Sequence, residues 1–404
     1  MSAAASILRR CAACAAILSA TIFPAATQSV KTPAKISDSV WTFDLATQGY
    51  TPDPGDAFRA QIPALRKISF LNNSTVIATF IERVTTTGLH RRDDPNRTPP
   101  FKLHAVFLDA ASGHVQRTQS WSSDSSEIGV IPAADGTYSV YEGNVVYKFS
   151  ANGEPAGELR IPSAEGSGVG IWAAAVSPTG KTILSQYRSD SGVRCEWIRT
   201  DAMTTNGEAC QIPENASISD VEIAAHESRK KQTDPNKIYI SKLGGEWKPI
   251  CVSEDGSGCA VADFLSDQTM LAYNAGKLEV LQNDGKKTFE QVLTQQIEVA
   301  SPDAGTVSSS RGGVRFGILL WNSPFSNNVV RTPGAGPNSE SGVTLTPKRI
   351  AVLDLETKKW IFVLENKNPQ LHEMDFALSP NGDALAVKSE GTVRLFHVTD
   401  ASTQ

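Results

Sequence analysis

The chain has 404 residues, 20% charged and 40% hydrophobic, with a formal net charge of −5. A mildly acidic balance excludes the basic footprint of a general nucleic-acid binder, and the length is ample for a sizeable core. Of the six cysteines, Cys11 and Cys14 fall near the N-terminus, leaving Cys195, Cys210, Cys251 and Cys259.

In chain order, Arg9 and Arg10 precede the apolar stretch CAACAAILSATIF, and small residues follow at Pro24-Ala25-Ala26. A basic start, a short apolar run and a small-residue end predict a secretory signal over 1–26, with 27–404 as the mature domain. The run is short for a membrane span of about 20 apolar residues, so no span is expected once the signal is gone. Removing 1–26 takes away two arginines and no acids, so the charge becomes 36 − 43 = −7. Secretion or a periplasmic location is the expectation. A membrane-anchored signal is the alternative.

The remainder shows no sustained helical period. It shows runs of four to seven Val, Ile, Leu, Phe, Trp and Tyr residues bounded by Gly, Pro, Asn, Asp and Ser, which predicts an all-β protein. VWTFDL at 40–45 is the first run. A layout of strand, tight polar turn, strand, Gly-containing turn, strand then recurs. It is clearest in IGVIPAADGTYSVYEGNVVYKFS (128–150), WAAAVSPTGKTILSQY (172–187), VADFLSDQTMLAYNAGKLEVLQ (261–282) and MDFALSPNGDALAVKS (374–389). ISFLNNSTVIATF (68–80) and EVASPDAGTVSSS (298–310) are degenerate copies, and VEIAAH at 221–226 opens another. Gly and Asn or Asp sit where a hairpin needs a positive φ or a self-closing side chain.

From Gly136 to Gly180 is 44 residues, and from Gly180 to Asp267 is 87, close to twice that. A period of about 40–45 residues with four short strands matches a β-propeller blade. AVFLDAASGHV (105–115) and IAVLDLETKKW (350–360) add an Asp and a hydroxyl residue to the turn between two outer strands. This turn resembles that of YVTN-type, quinoprotein-like and WD40-like propellers, and LSPNGDALAV resembles the first hairpin of the same superfamily, including TolB-like propellers. No Gly-His and Trp-Asp pair frames the blades, and no narrower family is identified.

Inner strands counted near Ile68, Ile128, Ala173, Val221, Val261, Ile297 and Met374 predict a single propeller of about seven four-stranded blades, with six or eight as alternatives. The last unit lacks a fourth strand, which VWTFDL can supply, closing the ring by joining the chain ends.

Three insertions, at 85–101, 227–237 and 321–348, are expected between the second and third strands of their blades. They should therefore share one face. Their His90, Arg91, Arg92, Trp321, Phe325 and Arg331 are the candidate contact residues for a protein, peptide or glycan. The competing reading is a set of tolerated surface loops with no ligand. Cys195, Cys210, Cys251 and Cys259 suggest two disulfides in an exported chain, with Cys195–Cys210 and Cys251–Cys259 favoured because each pair flanks a turn-rich stretch. Zinc is disfavoured by the wide spacings.

Motifs for a nucleophile elbow, a zinc protease or a calcium loop are absent. No metal, cofactor or catalytic residue is predicted. The expectation is a non-enzymatic exported binding scaffold. The alternative, by fold analogy, is a propeller enzyme of lactonase or quinoprotein type with its site at the central channel.

Overall fold

The structure is a computed structural model. It describes residues 38–51, 65–84, 99–124, 128–142, 144–161, 171–189, 192–209, 216–226, 236–242, 245–253, 259–274, 277–292, 307–321, 330–331, 343–344, 347–365 and 374–398. Its strands form seven four-stranded antiparallel sheets.

Blade I holds β2 (Ile68–Asn72), β3 (Thr75–Arg83), β4 (Phe101–Asp109) and β5 (Val115–Ser123). Blade II holds β6 (Ile128–Pro132), β7 (Tyr138–Glu142), β8 (Val145–Phe149) and β9 (Pro155–Arg160). Blade III is β10 (Ile171–Val176), β11 (Thr182–Ser189), β12 (Gly192–Arg199) and β13 (Thr204–Ala209). Blade IV is β14 (Ala216–Ile218), β15 (Glu222–His226), β16 (Asn236–Lys242) and β17 (Lys248–Ser253). Blade V runs through β18 (Cys259–Ser266), β19 (Thr269–Asn274), β20 (Lys277–Gln282) and β21 (Lys287–Val292). Blade VI uses β22 (Val307–Ser309), β23 (Arg315–Trp321), β26 (Pro347–Asp354) and β27 (Lys359–Glu365), with a small hairpin of β24 (Val330–Arg331) and β25 (Val343–Thr344) between its second and third strands. Blade VII joins β28 (Met374–Leu378), β29 (Ala384–Ser389) and β30 (Thr392–His397) to β1 (Trp41–Asp44) from the other end of the chain.

First strands of successive sheets lie against one another in the pairs β28–β2, β2–β6, β10–β14, β14–β18, β18–β22 and β22–β28, so they surround the axis. The period-2 alternation of a strand explains why the apolar runs are nearly continuous. Each blade is covered on both faces, so odd and even positions are both buried. On β18, Phe264 packs toward blade IV with Ala224 and Ile238, while its neighbour Leu265 packs toward blade VI with Val307 and Phe316. On β28, Phe376 joins the blade VI side with Ile350 and Phe362, and Ala377 joins the blade I side with Ile68 and Val106. Every inter-blade interface carries one such apolar layer. Each large side chain fully buried there contributes about 1.5–3 kcal/mol before chain entropy is counted.

Polar turns fasten the first hairpins to one another. In Ser379-Pro380-Asn381-Gly382, the Gly382 N–H donates to Ser379 O at 2.8 Å, and Gly382 has φ +78°. The matching Ser177-Pro178-Thr179-Gly180 turn is built the same way, with Gly180 N–H donating to Ser177 O at 2.9 Å. Gly180 has a second constraint. A Cβ there would lie 2.0 Å from the Pro132 carbonyl oxygen of blade II, so only glycine permits this approach. Between blades, Ala134 N–H donates to Thr179 O at 2.8 Å, Thr179 Oγ1 donates to Asp220 at 2.7 Å, and Asp220 N–H donates to Asp267 Oδ1 at 2.9 Å. Further round, Arg311 N–H reaches Pro380 O at 2.8 Å and Asn381 N–H reaches Asn73 Oδ1 at 3.0 Å.

The Asp and hydroxyl residues of the outer turns act as their sequence pattern suggests. Asp109 Oδ1 accepts from Ser112 N–H at 2.8 Å and Ser112 Oγ at 2.7 Å, and Asp354 Oδ1 accepts from Thr357 N–H at 2.9 Å. Those hydrogen bonds hold the Asp109 carboxyl below its ordinary value.

Ring closure is as expected. β1 pairs antiparallel with β30, Trp41 opposite Leu395 and Asp44 opposite Thr392. Trp41 Nε1–H donates to Ala110 O of blade I at 2.9 Å, and the indole lies where a Cβ on Gly113 would sit. Two inner strands differ from the expected positions. Blade IV begins at β14, one strand before Val221, because the Ser219 and Asp220 turn hides a three-residue strand. Blade VI begins at β22 rather than near Ile297, and its tight turn is Ser310 to Val314, closed by Ser310 N–H to Arg315 O at 2.8 Å. Ile297 itself lies outside the described residues.

Candidate functional site

In an antiparallel blade, the second-to-third strand junction returns to the face from which the first strand starts. The three insertions occupy that junction, between β3 and β4, between β15 and β16, and between β23 and β26. They therefore leave the ring on one face. The strands extend into the expected insertion bounds: β16 begins at Asn236, β23 runs to Trp321 and β26 begins at Pro347.

Of the candidate contact residues, His90, Arg91, Arg92 and Phe325 lie outside the described residues. Trp321 is the last residue of β23, opposite Pro347, and Arg331 is in β24, opposite Val343. Their backbones sit at the base of and within the third insertion.

Cys195 is fully buried on β12 and Cys251 lies on β17. Cys210 and the side chain of Cys259 lie outside what is described, so the pairing is taken up below as a proposal. His114 is exposed in its turn and His397 is exposed at the end of β30. Among the described residues no group of three or more His, Cys, Asp or Glu side chains is placed to hold a metal ion, and no helix is long and apolar enough to cross a membrane.

A polar cluster at the ring axis went unnoticed in the sequence. Arg66 precedes β2. Its Nη1 donates to Phe376 O on β28 at 3.1 Å, and its Nη2 donates to Val307 O on β22. One side chain thus ties blade I to blades VI and VII. Asp375 on β28 answers from the other side: its Oδ2 accepts from Lys67 N–H at 2.6 Å and Ile68 N–H at 3.3 Å, and its Oδ1 from Phe376 N–H at 2.8 Å. On β18, Asp263 Oδ1 accepts from Ser217 Oγ of blade IV at 2.7 Å and from Phe264 N–H at 2.9 Å. Arg66 and Asp375 stand where first strands begin, which is the face that carries the insertions.

Both acids are only half-buried by surface area, yet walled in by neighbouring first strands. Burial pushes both carboxyls above their ordinary value, against the opposing pull of the Ser217 hydroxyl and Arg66 at Asp263, and of Arg66 and the backbone N–H groups at Asp375. A signal for them exists in the sequence. Asp-Phe recurs inside two first strands, in VADFLS and MDFALS, and an acid within an apolar run needs a partner.

No family model matches the chain, and no curated protein matches it. Solved structures share the propeller fold at low identity. Virginiamycin B lyase from Staphylococcus aureus is 12% identical, with 88% of this chain and 98% of that one covered and a TM-score of 0.46. The Pan2 WD40 domain from Neurospora crassa is 11% identical over 90% of this chain and 99% of that one, with a TM-score of 0.47. An uncharacterized protein from Listeria monocytogenes EGD-e is 10% identical over 85% and 98%, with a TM-score of 0.49. At such identity the likeness extends to the fold alone.

The axial acids have a pH consequence. A carboxyl that holds its proton more tightly folded than unfolded makes the native state less stable as pH rises from the ordinary value of 3.8 through the raised folded value. Asp263→Asn removes that ionisation while keeping the shape. Urea unfolding at about pH 4 and about pH 7 is expected to show a smaller stability loss with rising pH in the variant than in the parent. Parallel profiles would contradict the assignment.

Proposed function

We propose that this chain is an exported β-propeller that serves as a binding scaffold, taking a protein, peptide or glycan on the face that carries the insertions. The observation that carries the reading is the shared position of the three insertion junctions. A rigid ring with three loops gathered on one face is a common way for a scaffold to present a contact surface. His90, Arg91, Arg92, Trp321, Phe325 and Arg331 are the residues proposed to make contact, two of them aromatic and three of them arginines. Arginine and large aromatic side chains dominate binding energy at interfaces. A propeller enzyme of lactonase or quinoprotein type is the second reading, and the axial Arg66, Asp263 and Asp375 cluster is what favours it. Stoichiometric calcium or a quinone chromophore in the purified protein would support that reading over the scaffold.

Replacing the 321–348 insertion with a short Gly-Ser linker tests the scaffold reading. The ring should keep its unfolding transition, and partners captured by the intact protein should be lost or weakened at least about tenfold, the equivalent of 1.4 kcal/mol. Retention of every partner with unchanged affinity removes the loop from the contact surface.

Export and cysteine pairing belong to the same proposal. Cys195 lies opposite Glu208 on β13, two residues short of Cys210, so a Cys195–Cys210 link would staple the open end of one hairpin. Cys251 lies on the last strand of blade IV and Cys259 opens the first strand of blade V, so their link would span one inter-blade connection. Mass mapping of the secreted, non-reduced protein should find a mature N-terminus near residue 27 and both linked peptides. An intact leader or free thiols would overturn this part.

A further inference from the structure

We propose that Asn152 is a site of spontaneous deamidation, which the fold sets apart from the two other Asn-Gly pairs of the chain. The inference is independent of the binding reading and concerns a covalent change in the outer turn of blade II.

Asn-Gly occurs at Asn152-Gly153, Asn206-Gly207 and Asn381-Gly382. A glycine carries no Cβ to shield its backbone nitrogen. That nitrogen gives up its proton to water or hydroxide and attacks the asparagine Cγ. An N–Cγ bond forms, the Cγ–Nδ2 bond breaks, and ammonia leaves. Water then opens the cyclic imide to aspartate or isoaspartate. The sum is one amide and one water giving one carboxylate and one ammonium, with no oxidant or reductant. Ring closure needs an asparagine side chain able to swing onto the next nitrogen, and a backbone able to bend with it.

The three pairs stand in three different settings. Asn381 is clamped. Its Oδ1 accepts from Ser379 Oγ at 2.7 Å and Asp383 N–H at 3.2 Å, and its Nδ2 donates to Asp383 Oδ2 at 3.1 Å. Its own N–H is tied to Asn73 of blade I, and Gly382 is buried with its carbonyl accepting from Arg315 Nη1 at 3.3 Å. Asn206 lies in β13 opposite Trp197, with Gly207 opposite Glu196, and that pairing holds its backbone extended against the bend. Asn152 lies in the turn between β8 and β9, where Gly153 has φ +91°. Gly153 N–H donates to Ser150 O at 2.9 Å and Ser150 N–H to Glu154 O at 2.9 Å. From blade I, Arg117 Nη1 donates to Ala151 O at 2.7 Å and Gln119 Nε2 to Gly153 O at 3.1 Å. These bonds run through the neighbours of Asn152, whose side chain is exposed.

The product changes the junction of blades I and II. An acid at 152 puts a negative charge one residue from the carbonyl that holds Arg117. Isoaspartate also lengthens the main chain by one carbon and displaces Gly153. Gly153 already lies so close to Gln119 that a Cβ on it would stand 2.6 Å from Nε2, so the Gln119 fastening is lost.

The test incubates the intact folded protein at mildly alkaline pH beside short peptides of the three Asn-Gly segments, with conversion at each asparagine followed by peptide mass mapping. The peptides are expected to convert at similar rates. In the folded protein Asn152 is expected to convert at least about tenfold faster than Asn206 or Asn381, because fewer hydrogen bonds must open first. Asp383→Ala, checked for an unchanged unfolding midpoint, should speed conversion at Asn381 and leave Asn152 as before. The parent protein decides the question without that variant. Equal rates at Asn152 and Asn381, faster conversion at Asn206, or an inert Asn152 where its peptide converts overturns the assignment.

Discussion

The architecture depends on closing a ring of seven sheets whose two faces are both apolar. A sheet that buries Phe264 on one side and Leu265 on the other has no face to give to water. A ring left open between blades I and VII would expose a layer containing Ile68, Val106, Ala377 and Leu395. Closure happens twice. On the outside, β1 completes blade VII and sets Trp41 against Gly113 and Ala110 of blade I. At the axis, Arg66 and Asp375 exchange side-chain to backbone hydrogen bonds across the same junction. Both fastenings lie on the segment around residues 41–68, which leaves the closing strand and enters the first blade.

The blade repeat was legible because its parts are local. Hairpins closed by Ser-Pro-Asn-Gly, an Asp-Gly turn or an Asp-x-x-Ser turn announce themselves within ten residues, and their hydrogen bonds are made within the same stretch. The joining of 40–45 to the last unit was also legible, because that unit visibly lacked a strand. Blade IV was shifted by one strand, since three residues of β14 carry no periodic pattern of their own. In blade VI the first strand is again only three residues, Val307 to Ser309. Strands that short owe their existence to the neighbouring blades rather than to their own sequence.

The axial cluster was hidden for the opposite reason. Arg66, Asp263 and Asp375 are separated by up to 309 positions in the chain, and only closure of the ring brings them together. Nothing local distinguishes Arg66 from any other arginine in a turn. The Asp-Phe dipeptides of β18 and β28 were the one available cue. The same geometry relates scaffold to function: one face receives the three insertion junctions, the starts of the first strands and the axial charges, and the opposite face receives the short fastening turns.

Hydrogen exchange on the protein and on Phe43→Pro is the most direct measurement of closure, since a proline in β1 removes an N–H from the pairing with β30. If the ring is held as a unit by this strand, protection should fall in β30 and also in β2, β3 and β28, across the blade VII and blade I junction. Loss confined to β30, with β2, β3 and β28 as protected as before, would contradict the closure on which the whole account rests.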